Sequence, residues 1–158
     1  MIDNSSLSEF NLPFSELGGN VLLGGGGNLY DIPSGTRVKI GSAVVSLTYL
    51  CEPCKKIAHL IKPAKLLYQR GYLARVVSEG HISLGDPALV SSMSVDEAIP
   101  HDLPARIAWF LSKSNKPLTC AEIVDGIGLS RSYCRAIPAI VRKSPIIDSS
   151  MVKSNSLK

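Results

Sequence analysis

Two cysteines three positions apart, Cys51 and Cys54, are the residues best suited to chemistry. They sit in the run Cys51-Glu52-Pro53-Cys54-Lys55-Lys56. The thiolate is the form of cysteine that attacks sulfur or binds a soft metal, and nearby positive charge favours it. Lys55 and Lys56 supply that charge. A helix predicted to open after Cys54 would add the positive end of its dipole. The alternative is an ordinary C-x-x-C in a turn. A thioredoxin-like role needs a parallel βαβ setting, which the flanking pattern lacks. Cys120 and Cys134 do not form a matching second pair, so a four-cysteine zinc site has little support. His59 follows Cys54 at a spacing that puts it on another face. His81 and His101 fall in turn and linker contexts. Gly24 to Gly27 resemble a phosphate loop, but no Gly-Lys-Ser/Thr and no helical pattern follow, so they read as a turn between short strands.

The elements that must position these thiols are short strands. Thr36 to Ile40 alternates polar and apolar residues. Ala43 to Leu50 is rich in β-branched residues and leads directly to Cys51. Residues 55–70 carry apolar side chains at helical spacing, interrupted at Pro63. Gly71 to Val77 reads as a third strand. His81 to Asp86 is expected to pair back, with Ala88 to Val90 as an edge. Residues 1–17 read as a polar lead-in. The pattern predicts a mainly β fold over the first ninety residues, closing as a small barrel or sandwich. A linker is expected over 93–102, a helical segment over 103–146 and a flexible tail over 147–158. In the helical segment Thr119-x-x-Glu122 is a capping box. Ser130 is placed to cap a last helix from Arg131 to about Lys143.

The chain has 158 residues, with 45% hydrophobic, 19% charged and 6% aromatic. This composition excludes a wholly disordered or collagen-like chain. No apolar run approaches the ~18–20 residues of a membrane span. The polar start lacks the features of a secretory signal, so the expectation is a cytoplasmic protein with reduced thiols and no membrane partner. The net charge of +4 is uneven: residues 1–100 carry 8 Lys/Arg against 9 Asp/Glu, and residues 101–158 carry 9 against 4. A basic final third suits an anionic partner such as DNA, or is a solvated face.

Four ordered motifs resemble the second half of a MOSC domain, the family named for the C-terminal domain of molybdenum cofactor sulfurases. They are Gly35-Thr36-Arg37-Val38-Lys39-Ile40-Gly41, Cys51-Glu52-Pro53-Cys54-Lys55, Arg70-Gly71-Tyr72-Leu73-Ala74-Arg75-Val76 and Gly80-His81-Ile82-Ser83-Leu84-Gly85-Asp86. Gly19-Asn20-Val21 is similar to the family's Gly-Glu-Asn segment. The resemblance covers roughly residues 10–92 and implies a strand-rich barrel, incomplete at its start. It implies that Cys54 carries sulfur or ligates molybdenum, in a sulfurtransferase or molybdenum-cofactor-dependent activity. A sulfur donor or a molybdoenzyme would be the partner. Cys51 would resolve a Cys54 persulfide, and Lys55, Arg70 and Arg75 would hold the anionic pterin phosphate of the molybdenum cofactor. Family descriptions also include pyridoxal phosphate, although the residues single out no lysine for a Schiff base. Asp86 reads as shaping the turn after Gly85. The family's Gly-Asp and His-Gly-Gly segments are absent, which leaves an inactive remnant as an alternative.

The final third resembles the winged helix of alkylguanine-DNA alkyltransferases and alkyltransferase-like proteins. The similarity lies in Arg106-Ile107, Leu118-Thr119, Ala121-Glu122-Ile123, Gly128-Leu129-Ser130, Arg135-Ala136-Ile137-Pro138 and Ser144-Pro145. It implies DNA binding through Arg135, with Arg131 and Tyr133 in the same turn. In that family the arginine matching Arg135 enters the base stack of a flipped nucleotide. Cys120 replaces the family's tyrosine, and no reactive Pro-Cys-His-Arg follows Pro145. The alternative reading is therefore a DNA-binding module without alkyl transfer.

Overall fold

Val38, Ile40, Leu47 and Leu50 are almost completely buried, and they decide how the central strands pair. The computed structural model describes residues 1–25, 27–52 and 55–153, without the side chains of residues 55 and 92–95. Strand β3 (Thr36–Ile40) and strand β4 (Ala43–Leu50) form an antiparallel hairpin in the register Val38↔Val45 and Ile40↔Ala43. Val38 and Ile40 alternate along β3 and so turn to one side, while Leu47 and Leu50 lie three apart in β4 across a register shift and join the same cluster with Leu29 and Tyr72. Each such side chain removed from water contributes about 1.5–3 kcal/mol.

Strand β5 (Tyr72–Ser78) pairs with β4, and strand β6 (Ala88–Val95) pairs with β3, both antiparallel. The order is β5-β4-β3-β6, so β5 and β6 are the two edges. The expected barrel is therefore not closed among the described residues, because the two edges do not meet. The content is mixed rather than mainly β. His81 to Asp86 does not pair back as a strand. Asp86 Oδ2 accepts the Ser83 amide at 2.7 Å and closes a turn, the shaping role expected of Asp86.

Residues 1–17 are ordered elements rather than a lead-in. Strand β1 (Ile2–Asp3) runs parallel to strand β2 (Leu22–Leu23). Helix α1 (Asn4–Phe10) is capped by Asp3, and helix α2 (Phe14–Leu17) follows. Ile2, Leu7 and Leu17 form a second apolar cluster with Ile57 and Leu66. The expected helix over 55–70 is two short 3-10 turns, Lys55–Ile57 and Pro63–Leu66. Pro63 has no N–H to give a helix and disfavours the helical conformation at Lys62, whose ψ is 117°. Tyr68 then turns left-handed, with φ 64°. The apolar spacing read from the sequence survives, because Ile57 and Leu66 are still buried.

The chain divides into two compact units, Met1–Ala98 and Ile99–Lys158. In the second, helix α3 (Leu103–Leu111) is capped by Asp102 and helix α4 (Cys120–Gly126) by the Thr119/Glu122 box. Helix α5 (Ile137–Lys143) follows a 3-10 turn at Arg131–Arg135. One continuous helix from Arg131 is prevented by Pro138, which cannot donate to the preceding turn. Ile107, Ile123, Val124, Ile127 and Ile137 are fully buried in this unit. Leu118 pairs with Val152 as a single parallel bridge. No strand hairpin of the kind a winged helix carries forms among the described residues of this unit. Arg106 is completely buried and donates to the carbonyls of Pro100 at 3.0 Å and His101 at 2.7 Å. No helix of the described residues is long and apolar enough to cross a membrane.

Helices α3 and α4 meet where Gly126 lies flat against the Phe110 ring. A Cβ there would sit 2.0 Å from the ring edge. Gly126→Ala is expected to destabilise the second unit by about 1–3 kcal/mol, from overpacking. Thermal unfolding of the full chain measures this, and an unchanged midpoint would contradict the packing described.

Candidate functional site

Strand β1 is the piece of chain that assembles the region around the cysteines. The Ile2 amide donates to Val21 O at 2.9 Å. One residue earlier, Met1 and Tyr72 exchange two bonds: the Met1 amino group donates to Tyr72 O, and the Tyr72 amide donates to Met1 O, each at 2.8 Å. The Cys51 amide donates to Gly71 O at 2.7 Å. So β1 lies between the Gly19-Asn20-Val21 segment on one side and the Cys51 and Gly71 segments on the other. Gly71 allows this passage. Its φ is +128°, and an added Cβ would lie 2.4 Å from Met1 O.

A recess of about 60 Å³ opens here, lined by Gly18, Gly19, Asn20, Cys51, Arg70 and Gly71 among others. Cys51 is half-buried, with Sγ 4.0 Å from Glu52 O. Arg70 Nη1 donates to the same Glu52 carbonyl at 2.9 Å. The backbone at Cys51 and Glu52 is therefore held from outside, by Gly71 and by Arg70. Cys54 itself, and the Lys55 side chain, lie outside the described residues. The helix whose dipole was expected to favour the Cys54 thiolate is a single 3-10 turn, too short to carry a full macrodipole.

Arg75 is not brought to this recess by any described contact. It reaches Asp96 at 3.8 Å, beside Arg37, whose Nη2 contacts Asp96 Oδ1 at 2.9 Å. The Arg37 and Ser46 hydrogen bonds outweigh desolvation and hold the Asp96 carboxyl below its usual range. This cluster ties the end of β6 to β3, β4 and β5. Its acidic member gave no signal in the sequence, because an isolated aspartate after a polar run looks like a linker residue.

A larger recess of about 180 Å³ lies beneath the glycine run, between Leu23, Gly25, Leu29, Val38, Ala88 and Val90. Its buried carboxylate, Asp3, is a residue the sequence reading passed over. Asp3 Oδ1 accepts the Ser5 amide at 2.8 Å and the Ser5 hydroxyl at 2.6 Å, and Oδ2 accepts the Leu29 amide at 3.0 Å. Burial opposes its charge, but the Ser5 hydroxyl and the two amides outweigh burial and hold the carboxyl below its usual range. The readable signal was Asp3-Asn4-Ser5, a helix N-cap pattern.

Among the described residues no group of three His, Cys, Asp or Glu is placed to hold a metal ion. Neither recess is lined by a described lysine. In the second unit Arg131 is engaged by Asp125, with Nε–Oδ1 at 2.7 Å. Arg135 is exposed and Tyr133 half-buried. Cys120 is buried, and burial pushes its thiol above the usual range with nearby Cys134 adding to the effect.

With this geometry in place, the comparisons with known proteins bear on class. A family model described as MOSC domain matches residues 3–88, more than half of the chain. The chain belongs to the MOSC-domain family. Among solved structures it is similar to YiiM from Escherichia coli at 20% identity and a TM-score of 0.50, over 96% of this chain and 80% of that one. It is also similar to YiiM from Geobacillus stearothermophilus at 18% identity and 0.49, over 99% and 76%. A third structure, titled only as a hypothetical protein, gives 19% and 0.49, over 95% and 76%. The Escherichia coli likeness supports the fold alone. No curated protein matches the chain.

Two variants test the assembly. Gly71→Ala must displace β1, and we expect a loss of about 1–3 kcal/mol in urea unfolding together with faster alkylation of Cys51. Unchanged stability and thiol reactivity would contradict the close passage. Asp3 has a folded pKa below its unfolded one, so its contribution is present above about pH 4 and is lost as pH falls through the lowered value. Asp3→Asn should therefore cost about 1–3 kcal/mol at neutral pH and flatten the acid limb of a stability–pH profile. An acid limb as steep as in the parent would contradict this assignment.

Proposed function

We propose that the chain handles sulfane sulfur through Cys54, with Cys51 as the resolving thiol and a persulfide-bearing protein as donor. One observation carries the reading. The backbone leading to Cys54 is anchored twice, by Gly71 O at the Cys51 amide and by Arg70 at the Glu52 carbonyl, while the Cys51 thiol lines a small recess. A C-x-x-C held at its first half can present its second thiol reproducibly. Arg70 adds a fixed positive charge at the recess wall, which favours anionic sulfur there.

Cys54 thiolate attacks the outer sulfur of R–S–SH. A Cys54–sulfur bond forms, the donor's S–S bond breaks, and the donor leaves as thiolate, R–S⁻. Cys51 thiolate then attacks Cys54 Sγ and expels hydrosulfide. The cysteine pair is oxidised by two electrons to a disulfide, and the sulfane sulfur is reduced by two to sulfide. A dithiol reductant restores the pair.

The MOSC family is associated with the molybdenum cofactor. The described residues bring together only part of the set expected to hold it. At the small recess the described soft donor is Cys51 and the described cation is Arg70. Of the residues expected to hold that phosphate, Arg70 is at the recess and Arg75 is drawn to Asp96. Pyridoxal phosphate fares no better, since neither recess has a described lysine in its wall. Ligation of molybdenum by Cys54 is the companion reading, and it requires donors beyond the described ones. DNA binding by the second unit is a lesser proposal. Arg135 is exposed there, but Asp125 already neutralises Arg131.

Incubation with a small persulfide donor, followed by intact-mass and peptide analysis, should show a gain of about 32 Da on Cys54. In Cys51→Ser the adduct should persist, and in Cys54→Ser it should be absent. An adduct on Cys120 or Cys134 instead would overturn the assignment.

A further inference from the structure

From Cys54 to Ser78 the chain contains six Lys or Arg and no Asp or Glu. The first unit is close to neutral as a whole, so this run is a local concentration of charge. Its fold decides which way the charges point. Ile57 and Leu66 are buried, at 1% and 0% exposure, and Leu60 and Ile61 pack against the same cluster. With the apolar side chains committed inward, Lys56, Lys62 and Lys65 are left exposed. No described carboxylate pairs with any of the three. An acid from outside this run, Glu16, faces His59 at 3.4 Å.

Two apolar residues interrupt the cationic surface. Leu67 and Tyr68 are 45% and 41% exposed. Tyr68 is held in the left-handed region, with φ 64°, a conformation rare for a bulky aromatic residue. Two residues on, Arg70 holds the Glu52 carbonyl beside the cysteines. An exposed tyrosine in a stretch of unpaired lysines offers an amphipathic anchor of the type enriched at protein interfaces, with positive charge nearby in the chain.

We propose that Lys56, Lys62, Lys65, Leu67 and Tyr68 form a docking surface for an acidic protein face with an apolar centre, and that this partner is the sulfur donor. The donor role rests on the sulfur-handling reading, whereas the docking does not. Charge complementarity selects an acidic partner and steers it to the side of the chain that leads to Cys54. Nucleic acid is disfavoured because a single aromatic offers no stacking platform and the free cations are lysines rather than forked arginines. A lipid surface is disfavoured because the segment has two short turns instead of an amphipathic helix.

The test uses the full ¹⁵N-labelled chain and a short peptide with Leu-Phe between flanking Glu and Asp residues. Controls are the same peptide with Gln and Asn, single-stranded oligothymidylate, and vesicles of phosphatidylcholine with phosphatidylserine. The acidic peptide should shift the amides of residues 56–68 and bind more weakly as salt rises. Lys62→Glu with Lys65→Glu should weaken it about tenfold. Tyr68→Ser should weaken it with no change in salt dependence. Equal binding of the neutral peptide, shifts confined to other residues, or tighter binding of oligothymidylate or vesicles to residues 56–68 would overturn the proposal. Cys54→Ser should bind the peptide as the parent does. Peptide binding without sulfur uptake by the parent chain would therefore defeat the donor role alone, and sulfur uptake without peptide binding would defeat the docking surface alone.

Discussion

The organisation of the first unit depends on one close passage of backbone. Met1 crosses Gly71 at a distance that leaves no room for a methyl group. The two bonds between Met1 and Tyr72, and the bond from Ile2 to Val21, exist because of it. Each contributes only about 0.5–1.5 kcal/mol net. Their larger consequence is positional. They join a segment near residue 20 to segments near residues 51 and 71, and the recess beside Cys51 is formed by that junction. Side-chain packing secures it from behind, since Ile2 belongs to the cluster that buries Leu7, Leu17, Ile57 and Leu66.

A second feature is how the charged groups are shared out. Arg70 is committed to a carbonyl, Arg37 and Arg75 to Asp96, and Arg131 to Asp125. Four of the seven arginines thus have described structural partners other than an anionic ligand, and Arg106 is locked to backbone carbonyls. In the run from residue 56 to residue 70 the exposed positive charges are Lys56, Lys62 and Lys65. Lysine is a compact, mobile charge suited to steering a partner rather than gripping a phosphate in fixed geometry. That division separates a sulfur-handling reading from a cofactor-gripping one.

Much of the sheet was legible in the sequence. The alternation in Thr36–Ile40 and the β-branched run in Ala43–Leu50 predict the β3–β4 hairpin, and the structure has it. The Thr119/Glu122 capping box is present with both of its bonds. Residues 1–17 look like a polar lead-in because Ile2, Leu7 and Leu17 are sparse among polar residues, and only tertiary contact reveals their shared face. The helix expected over 55–70 failed for a local reason. Apolar spacing reports which side chains are buried, not the backbone path, and Pro63 and Tyr68 bend that path into turns. Of the site, the Gly19-Asn20, Cys51 and Arg70 segments were each singled out, but the thread that unites them was not. A parallel pairing of two residues has no period to detect.

The proposed sulfur handling requires a Cys54 thiol that is more reactive in the native chain than in the unfolded one. Peptide-resolved rates of iodoacetamide alkylation, measured at one pH for the native chain and for the chain unfolded in urea, test this most directly. The account predicts that Cys54 reacts faster in the native chain than in the unfolded one, while buried Cys120 is strongly protected. A native Cys54 that reacts no faster than the unfolded thiol would contradict it.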